Sequence, residues 1–238
     1  MEFKVRGIIP RTGVLVAALP DMGNVAGIAM EHLVRSCGLE ELASATGEWP
    51  PFVVHRGRTI AFERGWYKLL GRDGYDFIAF TGNYQPPESV ALFELCERVL
   101  DLAQSVGVDT VISLGAAHTG ESRLENPRVF YAATSERLCE VAERAGSVPL
   151  ADEGYITGFN GLIHGLAMER QMEGLCLLGE IDSPRVRQPG AARAVLRVLS
   201  RVIGVELDLR ELDEEVARMK AERALRRGVW RGGPPGVM

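Results

Sequence analysis

Cysteine pairs at metal-ligand spacing are absent from this chain. Its four cysteines, Cys37, Cys96, Cys139 and Cys176, lie far apart, and no C-x-x-C occurs. This argues against a structural zinc site and for buried free thiols in a reducing compartment. Lysine is scarce: Lys4, Lys68 and Lys220 are the only three among 27 basic side chains. No apolar run reaches the ~20 residues of a membrane-spanning helix, and the opening MEFKVRGI lacks a signal-peptide apolar core, so a cytoplasmic protein is expected. The net charge is −5, which gives no electrostatic case for nucleic acid or an anionic membrane. Catalytic and nucleotide signatures are missing too. Gly23-Asn24-Val25-Ala26-Gly27 has the wrong spacing for G-x-G-x-x-G, and there is no phosphate loop, no G-x-S-x-G and no H-E-x-x-H. Neither an internal repeat nor a low-complexity block precedes the tail.

With 46% hydrophobic residues over 238 positions, there is ample material for one large domain. The chain is organised around Gly13 to Arg35. Val14 to Leu19 is a continuous apolar run, as expected of a strand buried on both faces. Pro20 ends it, since proline has no N–H for a ladder. Asp21, Gly23 and Asn24 suit a turn. From Val25 the spacing predicts a helix, with Ile28, Leu33 and Val34 on one face. A helix that begins right after a strand presents unpaired N–H groups and a positive dipole end. The Met22–Val25 turn is therefore a candidate anion site, or simply a sharp turn with close packing.

Before that strand, Glu2 to Ile9 alternates like an edge or hairpin strand. After the helix, Cys37-Gly38 reads as a C-terminal cap and Leu39 to Thr46 is ambiguous. Phe52–His55 and Thr59–Phe62, joined through Gly57, read as a β-hairpin insert, and Trp66–Leu70 adds a strand. Tyr75–Phe80 is a strand that runs into a loop from Thr81 to Pro87. Ser89–Val106 is a helix closed by Gly107. Thr110–Leu114 is a strand, followed by a loop from Gly115 to Gly120. Val129–Ala133 is a strand, and Ser135 caps a helix through Ala145. A helix across Leu162–Met172, a strand over Leu175–Leu178 and a helix over Ala191–Ile203 complete the body. This alternation predicts a three-layer α/β domain with a mixed, largely parallel sheet. The body is assigned residues 1–205. Residues 206–238 form a charged helix with a Gly/Pro tail, acidic first and basic last, as the helix dipole favours.

Loops after parallel strands gather at one sheet edge, where ligands bind in α/β folds. Gly23, Asn24, Gly82, Gln85, Gly115, His118, Asn160 and Glu180 are the candidate ligand-binding residues at that edge. His118 can serve as a general base or as an ordinary loop histidine. Glu180 and Asp182 suit a metal or a ribose, or else a turn cap or a pair with Arg185 or Arg187. No recognisable metal-ligand spacing and no required cofactor follow from these residues. At the C-terminus, Arg223, Arg226 and Arg227 can meet an acidic partner or lie solvated.

One ordered set of motifs resembles a known family. It comprises Leu19-Pro20-Asp21-Met22-Gly23-Asn24-Val25-Ala26-Gly27, Gly82-Asn83-Tyr84-Gln85-Pro86, Leu114-Gly115-Ala116-Ala117, Ile156-Thr157-Gly158-Phe159-Asn160-Gly161-Leu162 and Leu177-Leu178-Gly179-Glu180-Ile181-Asp182-Ser183-Pro184. In order and spacing this resembles the proteasome assembly chaperone family, type-2 branch. The resemblance implies a fold similar to purine nucleoside phosphorylases without their activity. It implies a non-enzymatic homo-oligomer that holds proteasome α-subunits. The alternative is a nucleoside- or nucleotide-like small-molecule binder or enzyme using the Gly-bearing loops. Some family members end in a hydrophobic residue, a tyrosine and any last residue. Here the corresponding end is Gly236-Val237-Met238, with Val237 and Met238 as candidate partner contacts.

Overall fold

The computed structural model describes residues 1–48, 50–120, 126–151 and 153–230, with 223–230 described as backbone only. Along the chain run β1 (Lys4–Val5), β2 (Val14–Ala18), α1 (Val25–Cys37), β3 (Glu40–Thr46), β4 (Val54–Arg56), β5 (Thr59–Ala61), β6 (Trp66–Gly71) and β7 (Phe77–Gly82). Then follow α2 (Ser89–Ser105), β8 (Thr110–His118), β9 (Val129–Ala133), α3 (Glu136–Arg144), β10 (Val148–Pro149), α4 (Gly158–Glu169), β11 (Glu173–Ile181), α5 (Pro189–Ile203) and α6 (Arg210–Trp230).

Among the described residues, nine strands form one sheet in the order β1-β3-β6-β7-β2-β8-β11-β9-β10. The apolar runs that predict doubly buried strands occupy its centre: β7, β2, β8 and β11 are mutually parallel. Antiparallel pairing begins on either side, at β6 against β7 and at β9 against β11. β4 and β5 form a separate hairpin, as the sequence predicts, with Gly57 at φ 61° in its turn.

Side-chain alternation along each central strand assigns the two helical layers. Leu15, Ala17, Ile78, Phe80 and Val111 point to the face covered by α2 and α4. Val16, Ala18, Ala79, Ile112, Leu114, Leu175 and Leu177 point to the face covered by α1, α3 and α5. The expected three layers result. α6 is an outer addition that buries Leu212 and Val216, and its Asp213 meets Arg193 at 2.8 Å and Arg197 at 3.2 Å on α5. Among the described residues, no helix is long and apolar enough to cross a membrane.

Several boundaries differ from expectation. Glu2–Ile9 contributes only the two residues of β1. Leu39–Thr46 resolves into β3, because burying Ala43 and Ala45 beside Leu69 and Tyr67 of β6 decides an otherwise weak pattern. Gly115 to His118 is not a loop but the end of β8, held by parallel pairing to Leu178 through Ile181. Likewise β11 runs on through Glu180, and α4 begins at Gly158, ahead of the predicted Leu162. The predicted caps are present: Gly38 takes φ 59° and donates to Arg35 and Val34 carbonyls, and Ser135 Oγ accepts from Leu138 N–H.

Between α4 and the sheet, His164 Nε2 lies 2.8 Å from Ser113 Oγ, and Ser113 also hydrogen-bonds the buried Cys176 thiol. A side chain at Gly174 would overlap the imidazole. Burial pushes the His164 pKa down to about 4. At pH above 6.5 the ring is neutral whether the chain is folded or not. Between 6.5 and 4 the unfolded chain binds the proton first, so folding stability falls as pH falls, by up to ~3 kcal/mol. Urea unfolding across this range should show that loss in the wild type relative to His164→Gln. A constant difference between the two proteins would contradict it.

Candidate functional site at the carboxyl edge of the sheet

The four parallel strands deliver their C-terminal ends to one edge. From β2 the chain passes Pro20 and Asp21 into a single tight turn at Met22–Asn24, then into α1. Gly23 (φ 65°) and Asn24 (φ 54°) are both left-handed, the conformation that lets the turn be this short. The turn is clamped by the segment that follows β11. Gly23 N–H donates to Pro184 O at 2.9 Å, and Gln188 N–H donates to Gly23 O at 2.9 Å. Gln188 Nε2 in turn donates to Asp182 Oδ1 at 2.6 Å and to Ser183 O at 3.1 Å.

At Met22–Val25 the chain supplies an acid of its own to the start of α1. Asp21 Oδ1 accepts from Ala26 N–H at 3.0 Å, and Val25 N–H also serves this carboxyl. The first N–H groups of α1 are therefore answered by the chain's own carboxyl group. The other oxygen, Asp21 Oδ2, is buried without a hydrogen-bond partner. Burial raises the Asp21 pKa to about 7, against the lowering effect of the Ala26 and Val25 hydrogen bonds.

A second cluster forms where α4 meets β8. Gly115 presents no side chain, and the Asn160 carboxamide occupies that place; a Cβ there would overlap Asn160 Nδ2 and stand 2.9 Å from Leu178 Cδ2. Asn160 Oδ1 is buried and unpartnered. Gln85, from the loop after β7, accepts through Oε1 from Phe159 N–H at 3.3 Å, so it caps the start of α4. Gly82 is required by proximity: a Cβ would stand 2.5 Å from the Tyr67 ring and 2.7 Å from Trp66 O. Tyr67 stacks on Phe80 with centroids 6.0 Å apart, and its hydroxyl donates to Tyr84 O at 2.9 Å.

The third cluster surrounds Glu180. This residue lies within β11, buried, and does not follow the strand into a loop as expected. Arg128 grips it with Nη2 to Oε1 at 2.7 Å and Nε to Oε2 at 3.1 Å. Arg128 N–H adds 3.0 Å to Oε2 and Thr119 Oγ1 adds 3.1 Å to Oε1. Burial pushes the Glu180 pKa up, but the Arg128 and Thr119 hydrogen bonds outweigh it and the net shift is downward. Its partner is Arg128, not Arg185 or Arg187, and its oxygens are committed to protein donors. His118 ends β8, exposed, with Nε2 donating to Asp182 O at 3.2 Å.

The sequence candidates thus fall into three groups at one edge. Gly23 and Asn24 join His118 through the 182–188 segment. Gly115, Asn160 and Gln85 meet at α4, with Gly82 just behind them. Glu180 stands with Arg128 and Thr119. Asp21, Arg128, Gln188 and Tyr67 are contributors that sequence reasoning does not pick out. Asp21 carries the only local signal, an acid directly ahead of a helix, which reads as a turn residue. The side chains of Arg223, Arg226 and Arg227, and all of Val237 and Met238, lie outside the described residues. Among the described residues, no group of three or more His, Cys, Asp or Glu side chains is placed to share a metal ion. Chemically, the edge offers buried acceptors, Asp21 Oδ2 and Asn160 Oδ1, in a frame of satisfied backbone.

Two outcomes follow from this geometry. Asp21 carries a folded-state pKa of about 7 against 3.8 in the unfolded chain, so wild-type stability declines as pH rises from 3.8 to 7. Asp21→Asn removes that dependence, and its stability relative to the wild type should rise across this interval by up to ~4 kcal/mol, read by denaturant unfolding. Gly115→Ala drives a methyl group into Asn160 and should cost ~1–3 kcal/mol. An unchanged midpoint would show that α4 does not rest on β8 in this way.

Comparison with known proteins places these features in company. The model of the PAC2 family matches residues 15–225. An uncharacterized Methanocaldococcus jannaschii protein, MJ1210, is 28% identical over 220 residues, covering 91% of this chain and 84% of its own. The crystal structure of Pyrococcus furiosus PbaB, described as an archaeal proteasome activator, superposes with TM-score 0.80 at 27% identity, over 95% of this chain and 97% of PbaB. Pyrococcus furiosus PbaA, described as an archaeal homolog of proteasome-assembly chaperone, gives TM-score 0.75 at 21% identity, over 95% and 96% of the two chains. Both share this α/β fold, and with the family model spanning most of the sequence, the chain belongs to the PAC2 family.

Proposed function

We propose that this protein is a cytoplasmic, homo-oligomeric chaperone that binds proteasome α-subunits, with no cofactor and no chemical step of its own. The observation that carries the reading is similarity over nearly the whole length of both chains to PbaB and PbaA. The edge clusters support it: their glycines make room for neighbouring side chains and backbone to pack closely, and most of their polar groups are consumed internally. In this reading residues 206–238 are the partner-facing segment. The first half of α6 is pinned to the body by Leu212, Val216 and the Asp213 ion pairs, while the helix backbone continues beyond them past Arg223, Arg226 and Arg227 to Trp230.

Native mass spectrometry of the protein mixed with α-subunits from its own source tests this directly. A stable co-complex is expected; free components at micromolar concentration would overturn the proposal. Deleting residues 223–238 leaves the buried part of α6 in place. The deletion should keep the unfolding temperature within ~2 °C while weakening the co-complex about tenfold, the loss of roughly one favourable contact.

A small-molecule site at the same edge is the second reading, favoured by the unpartnered Asp21 Oδ2 and Asn160 Oδ1. A nucleoside or nucleotide present at 100 times its Kd would add ~2.7 kcal/mol, several degrees in Tm. A nucleoside and nucleotide panel that leaves the Tm unmoved removes this reading.

A further inference from the structure

The β4–β5 hairpin stands outside the main sheet, and a lone two-stranded hairpin is marginally stable in water. Its pairing of Val54 with Ala61 and His55 with Ile60 separates its residues by face. Val54 and Ala61 are half-buried, and Phe52, which alternation places with them, meets Tyr84 edge-to-face at 6.4 Å. The other face carries Val53, Ile60 and Phe62, which are 52%, 74% and 56% exposed. Nearby Trp66 is 40% exposed under the Lys68 ammonium. An apolar face of this kind, on an element that contributes nothing to the domain core, is the mark of a contact surface. Its rim is basic: Arg58 stands at the turn and Arg64 over the Phe62 ring, while Arg56 is paired with the one nearby acid, Glu63.

The chain also carries a surface of matching chemistry. Along the outward stripe of α2, Val90 (82% exposed) and Phe93 (47%) share a face with Glu94, Glu97 and Asp101, and Glu88 stands at the helix start. Arg170 and the amino group of Met1 bridge three of these acids, and among the described residues no such bridge reaches Glu88, two positions ahead of Val90. One surface is apolar with a basic rim; the other is apolar with acids. The two are close in the fold, because the hairpin touches Tyr84, four residues ahead of Glu88.

We infer that the hairpin of one copy docks on the exposed face of α2 of a second copy. This rests on the homo-oligomer of the proposed function and names the surfaces that build it. Burying Ile60 and Phe62 against Val90 and Phe93 supplies the apolar centre, and Arg58, Arg64 and Glu88 supply the charged rim that fixes orientation.

Complementation tests the pairing. Ile60→Asp with Phe62→Asp spoils only the hairpin; Val90→Asp with Phe93→Asp spoils only the α2 face. All four positions are exposed, so each double variant should keep a wild-type Tm within a few degrees; the milder Ile60→Ser and Val90→Ser replace any that does not. By native mass spectrometry the wild type should be oligomeric and each variant monomeric, with self-association weakened about 100-fold or more. Mixed together, the two variants should form a 1:1 heterodimer, since one intact hairpin then meets one intact α2. A monomeric wild type, an oligomer indifferent to either variant, or variants that dissociate but do not complement would each overturn the inference. So would a hairpin variant of unchanged oligomer mass that no longer captures α-subunits, which would assign the hairpin to that partner. Capture of α-subunits, measured on the same samples, reports on the chaperone reading separately.

Discussion

The first turn of α4 lies on β8 with a single carboxamide between them, and much of the loop edge depends on that approach. It is possible because Gly115 has no side chain and because the helix starts at Gly158, in a left-handed conformation, with Gln85 accepting from Phe159 N–H. Phe159 then enters the core beside Phe80, with ring centroids 5.6 Å apart, and Phe80 stacks on Tyr67. Tyr67 packs over Gly82 and holds Tyr84 by its hydroxyl. A chain of contacts thus runs from β8 through α4 and β7 to the base of the hairpin. Glycines recur along it, at Gly115, Gly158 and Gly82, because a carboxamide or a ring packs directly against the backbone there.

Much of this fold is legible in the sequence, and the part that is not has a common physical cause. The apolar runs of β2 and β7 and the spaced leucines of α2 announce themselves, because doubly buried strands and half-buried helices leave different periods. The ends of β8 and β11 do not. Gly115-Ala116-Ala117 and Gly179 read as loop because small residues carry no strand preference of their own. They are small because helices lie directly on them: a Cβ at Gly179 would stand 3.0 Å from Ala191 O. The packing that lengthens these strands is the same packing that removes their signature. The Glu180–Arg128 pair is illegible for another reason. Its members are 52 residues apart and meet only because β11 and β9 are antiparallel neighbours. The choice among Arg128, Arg185 and Arg187 is made by topology.

Asp21 runs against the logic of the rest. Two other buried polar groups at this edge are satisfied: Glu180 by Arg128 and Thr119, Gln188 by Asp182 and Ser183. Asp21 is buried with one oxygen unpartnered, at a position where a serine or asparagine would cap α1 without a titrating charge. A carboxyl group kept near neutrality at a helix start lowers stability, and residues that do so concentrate where a protein meets something else. Asn160 Oδ1, in the first turn of α4 over the end of β8, has the same character.

The hairpin connects that edge to the outside. Phe52 touches Tyr84, Asn83 accepts from Trp66 N–H at 2.7 Å and donates to Arg64 O at 3.2 Å, and Gln85 two residues on caps α4. The loop after β7 is thus held at one end by the hairpin and at the other by α4. A partner that tightens the hairpin therefore fixes Tyr84 and, through Gln85, the start of the helix that carries Asn160. In a domain whose centre is four parallel strands buried on both faces, this loop is the link that ties the peripheral hairpin to the carboxyl edge.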